Sequence, residues 1–157
     1  MVLIRAALPK IFPNLDRILT LDVDTLVRDN ISHLWDMDLD NYYLAATREE
    51  DLSKEEHRDY INMGVAMLNL KKMRDDHIDD KIIYALDRYF YRYNEQDCIN
   101  DFCESKIKIL PSDYNCCWQA KRPAHERIMH FAGIDDWANW PQFHIYDNVH
   151  FNELKHD

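Results

Sequence analysis

The segment Arg17-Ile18-Leu19-Thr20-Leu21-Asp22-Val23-Asp24-Thr25-Leu26-Val27 constrains this chain more than any other. An apolar, β-prone run closes on two carboxylates one residue apart. Strand alternation predicts that Asp22 and Asp24 share one face. Carboxylates that close repel each other unless positive charge sits between them. A divalent cation answers that repulsion. A solvated strand end, where Asp is common, is the ordinary alternative. The strand ahead of the pair favours a ligand, because open α/β sheets bind ligands beyond the carboxyl ends of their strands.

Composition narrows the classes. At 157 residues with 46% apolar content, the chain is one ordinary domain or part of a larger one. Two glycines are too few for a Gly-rich nucleotide loop. A net charge of −10 argues against nucleic-acid binding, which needs clustered Lys and Arg, and fits a soluble surface. Cys98, Cys103, Cys116 and Cys117 contain no CxxC pair, so neither a zinc ribbon nor a thioredoxin motif is expected. Met1-Val2-Leu3-Ile4 meets Arg5 at once and is too short for a signal peptide. No apolar stretch approaches a bilayer span. A cytoplasmic location follows as the default expectation.

Strands mixed with helices predict an α/β fold. Helices are expected over Leu3 to Phe12, interrupted by Pro9, over Asp79 to Tyr91, and over Gln96 to Cys103. Asn30 to Trp35 reads as a short helix or turn, and Ser53 to Tyr60 as a loop or short helix. Strands are expected over Ile18 to Leu21, Tyr42 to Thr47, Gly64 to Leu70, Lys106 to Leu110 and Arg127 to Ala132. The run Gly64 to Leu70 is apolar almost throughout, as a strand covered on both faces must be. A helix from His144 onward completes the reading.

Several further residues carry candidate chemistry. His130 follows an apolar strand and offers an imidazole beside two carboxylates; a hydrogen-bonded core histidine is its ordinary alternative. Asn62-Met63-Gly64 puts an amide and a bare backbone at a strand edge, suited to a polyhydroxyl ligand or to a plain turn. Glu95-Gln96-Asp97 opens a helix, where acids cap and suit the dipole or face a ligand. Asp75-Asp76 and Asp79-Asp80 read as a solvated helix N-terminus. Trp137 and Trp140 read as core packing or sugar stacking.

Taken together, five segments in order resemble glycosyltransferase family 8, the retaining, GT-A-fold enzymes that use UDP-sugars. These are Asp16 to Val27 with Arg5 to Pro9 ahead of it, Ile61 to Leu70, Glu95 to Asn100, Leu110 to Asn115, and His130-Phe131-Ala132-Gly133. They match the family's DxD segment and its FNSGVLLINL, DQDILN, LPxxYN and HFxG patterns. The resemblance implies a GT-A-like, Rossmann-like mixed sheet flanked by helices, N-terminally truncated, with residues 1–157 as a single partial domain. It implies transfer of a hexose from a UDP-sugar to a saccharide or lipopolysaccharide acceptor. Asp22, Asp24 and His130 would hold Mn2+, with Mg2+ as the alternative. Arg5, Asp22, Asn62, Gly64, Glu95 and Gly133 would line the substrate site, and Gln96 and Asp97 would lie at the reacting sugar. Peripheral association with the inner face of a membrane, and an oligomer or partner over the exposed sheet, complete the expectation.

Three departures from the family pattern stand out. The chain starts 21 residues before Asp22, without the strand and helix that hold uracil and ribose in the family. Asp135-Asp136-Trp137 has acids where a Lys is expected after HFxG. Glu95 stands where Asp is commoner. A catalytically inactive truncated remnant that binds metal or a partner chain is therefore the alternative function. A haloacid-dehalogenase-type phosphatase also uses a strand ending in DxD, but it wants Thr or Val where Leu26 stands.

Overall fold

The computed structural model describes residues 4–117 and 125–133. Its frame is a mixed four-stranded sheet in the order β1-β4-β3-β5, formed by β1 (Arg17–Leu21), β3 (Leu44–Arg48), β4 (Ile61–Asn69) and β5 (Ile107–Leu110). β1 and β3 both run antiparallel to β4, and β5 runs parallel to β3. A smaller sheet in the order β2-β7-β6 joins β2 (Thr25–Val27), β7 (Ile128–His130) and β6 (Cys116–Cys117). The helices are α1 (Ile4–Ile11), α2 (Ser32–Trp35), α3 (Glu50–Glu56), α4 (Leu70–Asp75), α5 (Ile78–Arg88) and α6 (Glu95–Cys103).

β4 is apolar because it faces two cores. Val65 and Met67 pack with Leu34, Leu39, Ala45 and Leu110 on one side. Ala66 and Leu68 face the other side, where Leu70, Met73, Ile82, Ile99 and Cys103 come from α4, α5 and α6. Ile61 and Met63 also belong to that second core, so the facing parity switches between Met63 and Ala66. The switch is a bulge: β3 steps from Ala46, opposite Ala66, to Thr47, opposite Asn62. Bulges of this kind re-aim side chains beside functional sites.

The structure corrects several expectations. α1 runs through Pro9 to Ile11, although Pro9 has no N–H to give the Arg5 carbonyl. α3 forms over Glu50–Glu56, and Leu70 opens α4, a helix the sequence reading absorbed into a strand and an acidic cluster. Asn69 caps α4, its side-chain oxygen accepting from the Lys72 N–H at 3.0 Å. The acidic cluster is not one solvated N-terminus. Asp75 ends α4, while Asp76 accepts from Tyr43 Oη at 2.9 Å and Lys106 Nζ at 3.0 Å. Asp79 is 2% exposed. Its Oδ1 accepts no hydrogen bond among the described residues. The helix expected from His144, Trp137, Trp140 and the acids Asp135 and Asp136 lie outside the described residues.

Candidate active site

The DxD pair leaves the sheet before it reaches the site. β1 ends at Leu21, and Asp22 to Asp24 form a tight turn. The Asp22 carbonyl accepts from the Thr25 N–H at 3.2 Å and from Thr25 Oγ1 at 2.7 Å. Asp22 and Asp24 therefore converge through a turn and not through strand alternation, while Val23 between them is 90% exposed. The small sheet brings in the third donor. β2 pairs with β7 so that Thr25 lies opposite His130, and the Phe131 N–H donates to the Asp24 carbonyl at 2.9 Å.

His130 Nε2 stands 3.7 Å from Asp22 Oδ2 and 3.4 Å from Asp24 Oδ1, both beyond ordinary hydrogen-bond length. The opposite nitrogen, Nδ1, is 2.8 Å from Asn115 Oδ1. The amide nitrogen of Asn115 already donates to Asn62 Oδ1, so Asn115 turns its oxygen to Nδ1 and Nε2 is the ring nitrogen that faces the two carboxylates. One ligand atom from each of Asp22, Asp24 and His130 lies within 4.8 Å of the others. An oxygen-rich set completed by one imidazole fits a divalent cation.

Gly64 explains how the imidazole fits. A Cβ at Gly64 would lie 2.1 Å from His130 Cε1 and 2.5 Å from Nδ1. The ring thus lies against bare backbone at the β4 bulge. Gly64 is a buried seat for His130 and does not line the cleft expected of it.

The cleft beside the triad has a volume of about 1110 Å³. Asp22, Asp24, His130, Arg5, Asn62, Gln96 and Gly133 all border it. Gly133 has φ +74° and open space where a Cβ would stand, so its backbone is accessible at the rim. Arg5 spans the floor. Its Nη2 pairs with Asp22 Oδ1, and its Nη1 donates to Glu95 Oε1 at 3.0 Å. The Glu95 side chain is fully buried behind Arg5. Burial pushes its carboxyl above the usual range, against the pull of Arg5 and of the Arg5 and Ala6 amides. Glu95 therefore orients Arg5 from behind and does not reach the cleft.

Gln96 and Asp97 are engaged with the protein. Gln96 Oε1 accepts from the Met63 N–H at 2.9 Å. Asp97 accepts from Tyr60 Oη through Oδ1 and from the Tyr93 N–H at 2.7 Å through Oδ2. Burial, then the Asp97 carboxylate, push the Tyr60 phenol well up. Asp97 borders a separate pocket with Tyr60, Phe90 and Arg58 and not the main cleft.

Sequence reasoning missed Arg92, Tyr93 and Asn94, which also border the cleft. Asn94 holds φ +51° ahead of α6, a conformation that no local pattern announced. It also missed a role for Asn115, although that residue closes the LPxxYN segment.

The fold has known counterparts. The fold is that of GT-A glycosyltransferases: a solved active-site mutant of LgtC superposes with a TM-score of 0.75 over 92% of this chain and 65% of that one, at 23% identity. The bifunctional glycosyltransferase WbbM gives a TM-score of 0.71 at 20% identity, over 91% of this chain and 36% of that one. The sequence pattern of glycosyl transferase family 8 matches residues 1–135, and the chain belongs to that family. It is 32% identical over 123 residues to a Haemophilus influenzae protein named as a glycosyltransferase, covering 71% of this chain and 37% of that protein. It is 25% identical over 168 residues to the lipopolysaccharide 1,2-glucosyltransferase of Escherichia coli K12, covering 89% and 48%. The chain thus spans half or less of the length of both relatives. Among the described residues, no helix is long and apolar enough to cross a membrane.

Proposed function

We propose that this chain carries the metal corner and the sugar-facing wall of a retaining, metal-dependent hexosyltransferase. The donor is a UDP-sugar and the acceptor a saccharide or lipopolysaccharide. Residues 1–157 are one partial GT-A domain in this reading, acting in the cytoplasm at the inner face of a membrane. The observation that carries it is the meeting of Asp22, Asp24 and His130 on a cleft that Arg5, Gln96 and Gly133 also border.

Mn2+, or Mg2+ in its place, would be held by Asp22, Asp24 and His130, and when bound would offset the charge of the diphosphate leaving group. The other groups are the chain's own. Arg5 holds Asp22 in place and lends positive charge to the floor of the cleft. Gly133 leaves backbone open to a close-approaching donor. Gln96 has its carbonyl oxygen committed to Met63, so it is a poor nucleophile and a good wall. Same-face attack follows. The acceptor oxygen bonds to the anomeric carbon on the face from which the phosphate oxygen leaves, and the acceptor proton passes to that departing oxygen.

Calorimetric titration of UDP with and without Mn2+ tests the reading. The wild-type chain is expected to bind UDP in a cation-dependent manner, and Asp24→Asn is expected to abolish that dependence. UDP binding that ignores the cation would overturn it.

A further inference from the structure

Asp22 turns the two oxygens of its carboxylate to different partners. Oδ2 faces His130 Nε2 at 3.7 Å, on the side where Asp24 Oδ1 stands 3.4 Å from the same nitrogen. Oδ1 accepts from Arg5 Nη2. The Arg5 side chain is 11% exposed, and its other terminal nitrogen donates to Glu95 Oε1 at 3.0 Å. Arg5 lies in the first turn of α1 and Glu95 opens α6, so the guanidinium ties two helices to the site. Among the described residues, Arg5 is the cation paired with the fully buried Glu95, whose Oε2 has no hydrogen-bond partner.

That bracing decides what Arg5 can do. An uncompensated charge at Glu95 would be costly, so the guanidinium stays beside it. The guanidinium is planar and rigid, so the contact at Nη1 also fixes Nη2. It keeps its proton at any ordinary pH, so its N–H holds Asp22 Oδ1 and its charge repels a metal ion from that oxygen. Only Oδ2 of Asp22 is then open to a metal. Divalent ions of different size differ in what they lose by this. Ca2+ gathers about six to eight oxygens and commonly takes both from one carboxylate, whereas the smaller Mg2+ demands near-octahedral geometry and is satisfied by single oxygens and water.

We infer that Arg5, braced by Glu95, is a specificity-determining residue for the cation: by occupying Asp22 Oδ1 it makes Asp22 a one-oxygen ligand and turns the site against large ions such as Ca2+. The inference rests on the metal reading of Asp22, Asp24 and His130. Charge alone does not produce such a preference. Mg2+, Mn2+ and Ca2+ carry the same charge, so the guanidinium repels all three alike. The number of carboxylate oxygens open to the ion, by contrast, matters most to the ion that wants the most ligands. The ratio of Ca2+ to Mg2+ affinity therefore isolates the role of Arg5 from its charge.

Ion competition on the full chain tests this, with Mn2+ binding followed by electron paramagnetic resonance and Mg2+ or Ca2+ as the displacing ion. Two variants carry the test. Arg5→Lys keeps a positive charge for Glu95, but a single ammonium drawn to that buried carboxylate leaves Asp22 Oδ1 open. Arg5→Met combined with Glu95→Gln removes both charges together and spares the fold a buried, unpaired carboxylate. The expected result in both is a gain of about tenfold for Ca2+ over Mg2+, the scale on which groups behind a metal ligand alter affinity. Thermal unfolding of the metal-free chains identifies the folded variants. An equal change for Mg2+ and Ca2+ in a folded variant would overturn the selective role and leave Arg5 a purely structural group. Failure of wild type to bind any of the three ions would overturn the metal reading, and this inference with it.

Discussion

On one side of the cleft, Asp22, Asp24 and His130 turn ligand atoms toward one another at distances too long for hydrogen bonds. On the other side, Gln96 gives its oxygen to the Met63 N–H, and Asp97 next to it, turned away from the cleft, gives its oxygens to Tyr60 and Tyr93. The first side gathers two carboxylates that Arg5 offsets at Asp22 Oδ1 only in part, and a cation between Asp22 Oδ2, Asp24 Oδ1 and His130 Nε2 would relieve the rest of the repulsion. The second side is satisfied as it stands. A polar residue in a cleft is thus not informative by type alone; what matters is whether its hydrogen-bonding capacity is already taken.

That contrast can be broken at either side. Asp24→Asn should have the largest effect on ligand binding. Mn2+ affinity should fall by more than the ~100-fold that outer-layer changes reach, with thermal stability unchanged or slightly raised as carboxylate repulsion is relieved. Gly64→Ala should act on both fold and site, because its methyl would collide with the His130 ring. A loss of about 3 kcal/mol in urea unfolding, the upper range for overpacking, should accompany loss of Mn2+ binding. Asp97→Ala should leave the Tyr60 hydroxyl and the Tyr93 amide without their acceptor. It should cost about 1–3 kcal/mol of stability while Mn2+ affinity holds. Gln96→Ala should lower turnover by less than about tenfold, well short of the factors that follow removal of a covalent nucleophile. Loss of all turnover with binding intact would restore Gln96 as the attacking group.

The smallest effect lies away from the cleft. Hydrogen bonds from Lys106 and Tyr43 lower the Asp76 carboxyl to about 2. A carboxylate depressed in the folded state stabilises above its unfolded pKa, and that contribution is lost as pH falls through its folded value. Acid unfolding of wild type should therefore be steeper below about pH 4, the ordinary carboxylate range, than that of Asp76→Asn, with no difference near neutrality.

The same contrast explains what the sequence made legible. β4 and α5 were readable because burial writes itself into local patterning: an unbroken apolar run for a strand between two cores, a helical stripe for a one-sided helix. α4 was not, because Lys71-Lys72-Met73-Arg74-Asp75 is polar and its helix depends on the Asn69 cap and on Leu70 and Met73 meeting the core. Asp22, Asp24 and His130 were found by pattern and are brought together by the fold, although by a turn and a small second sheet and not by strand alternation. Gly64 was singled out for the wrong contact, since only the folded chain shows the imidazole lying against it. The contact of Glu49 with the Asn62 amide had no local signal at all, because the two residues meet only across the fold.

The register of β2 against β7 also sets a timetable. Thr25 meets His130 across most of the chain's length, and closing so long a loop is among the costlier steps in ordering a polypeptide. Helical contacts within α5 and α6 are local and form early by comparison. The triad is thus complete only once β7 has docked on β2, and cation binding would report that closure.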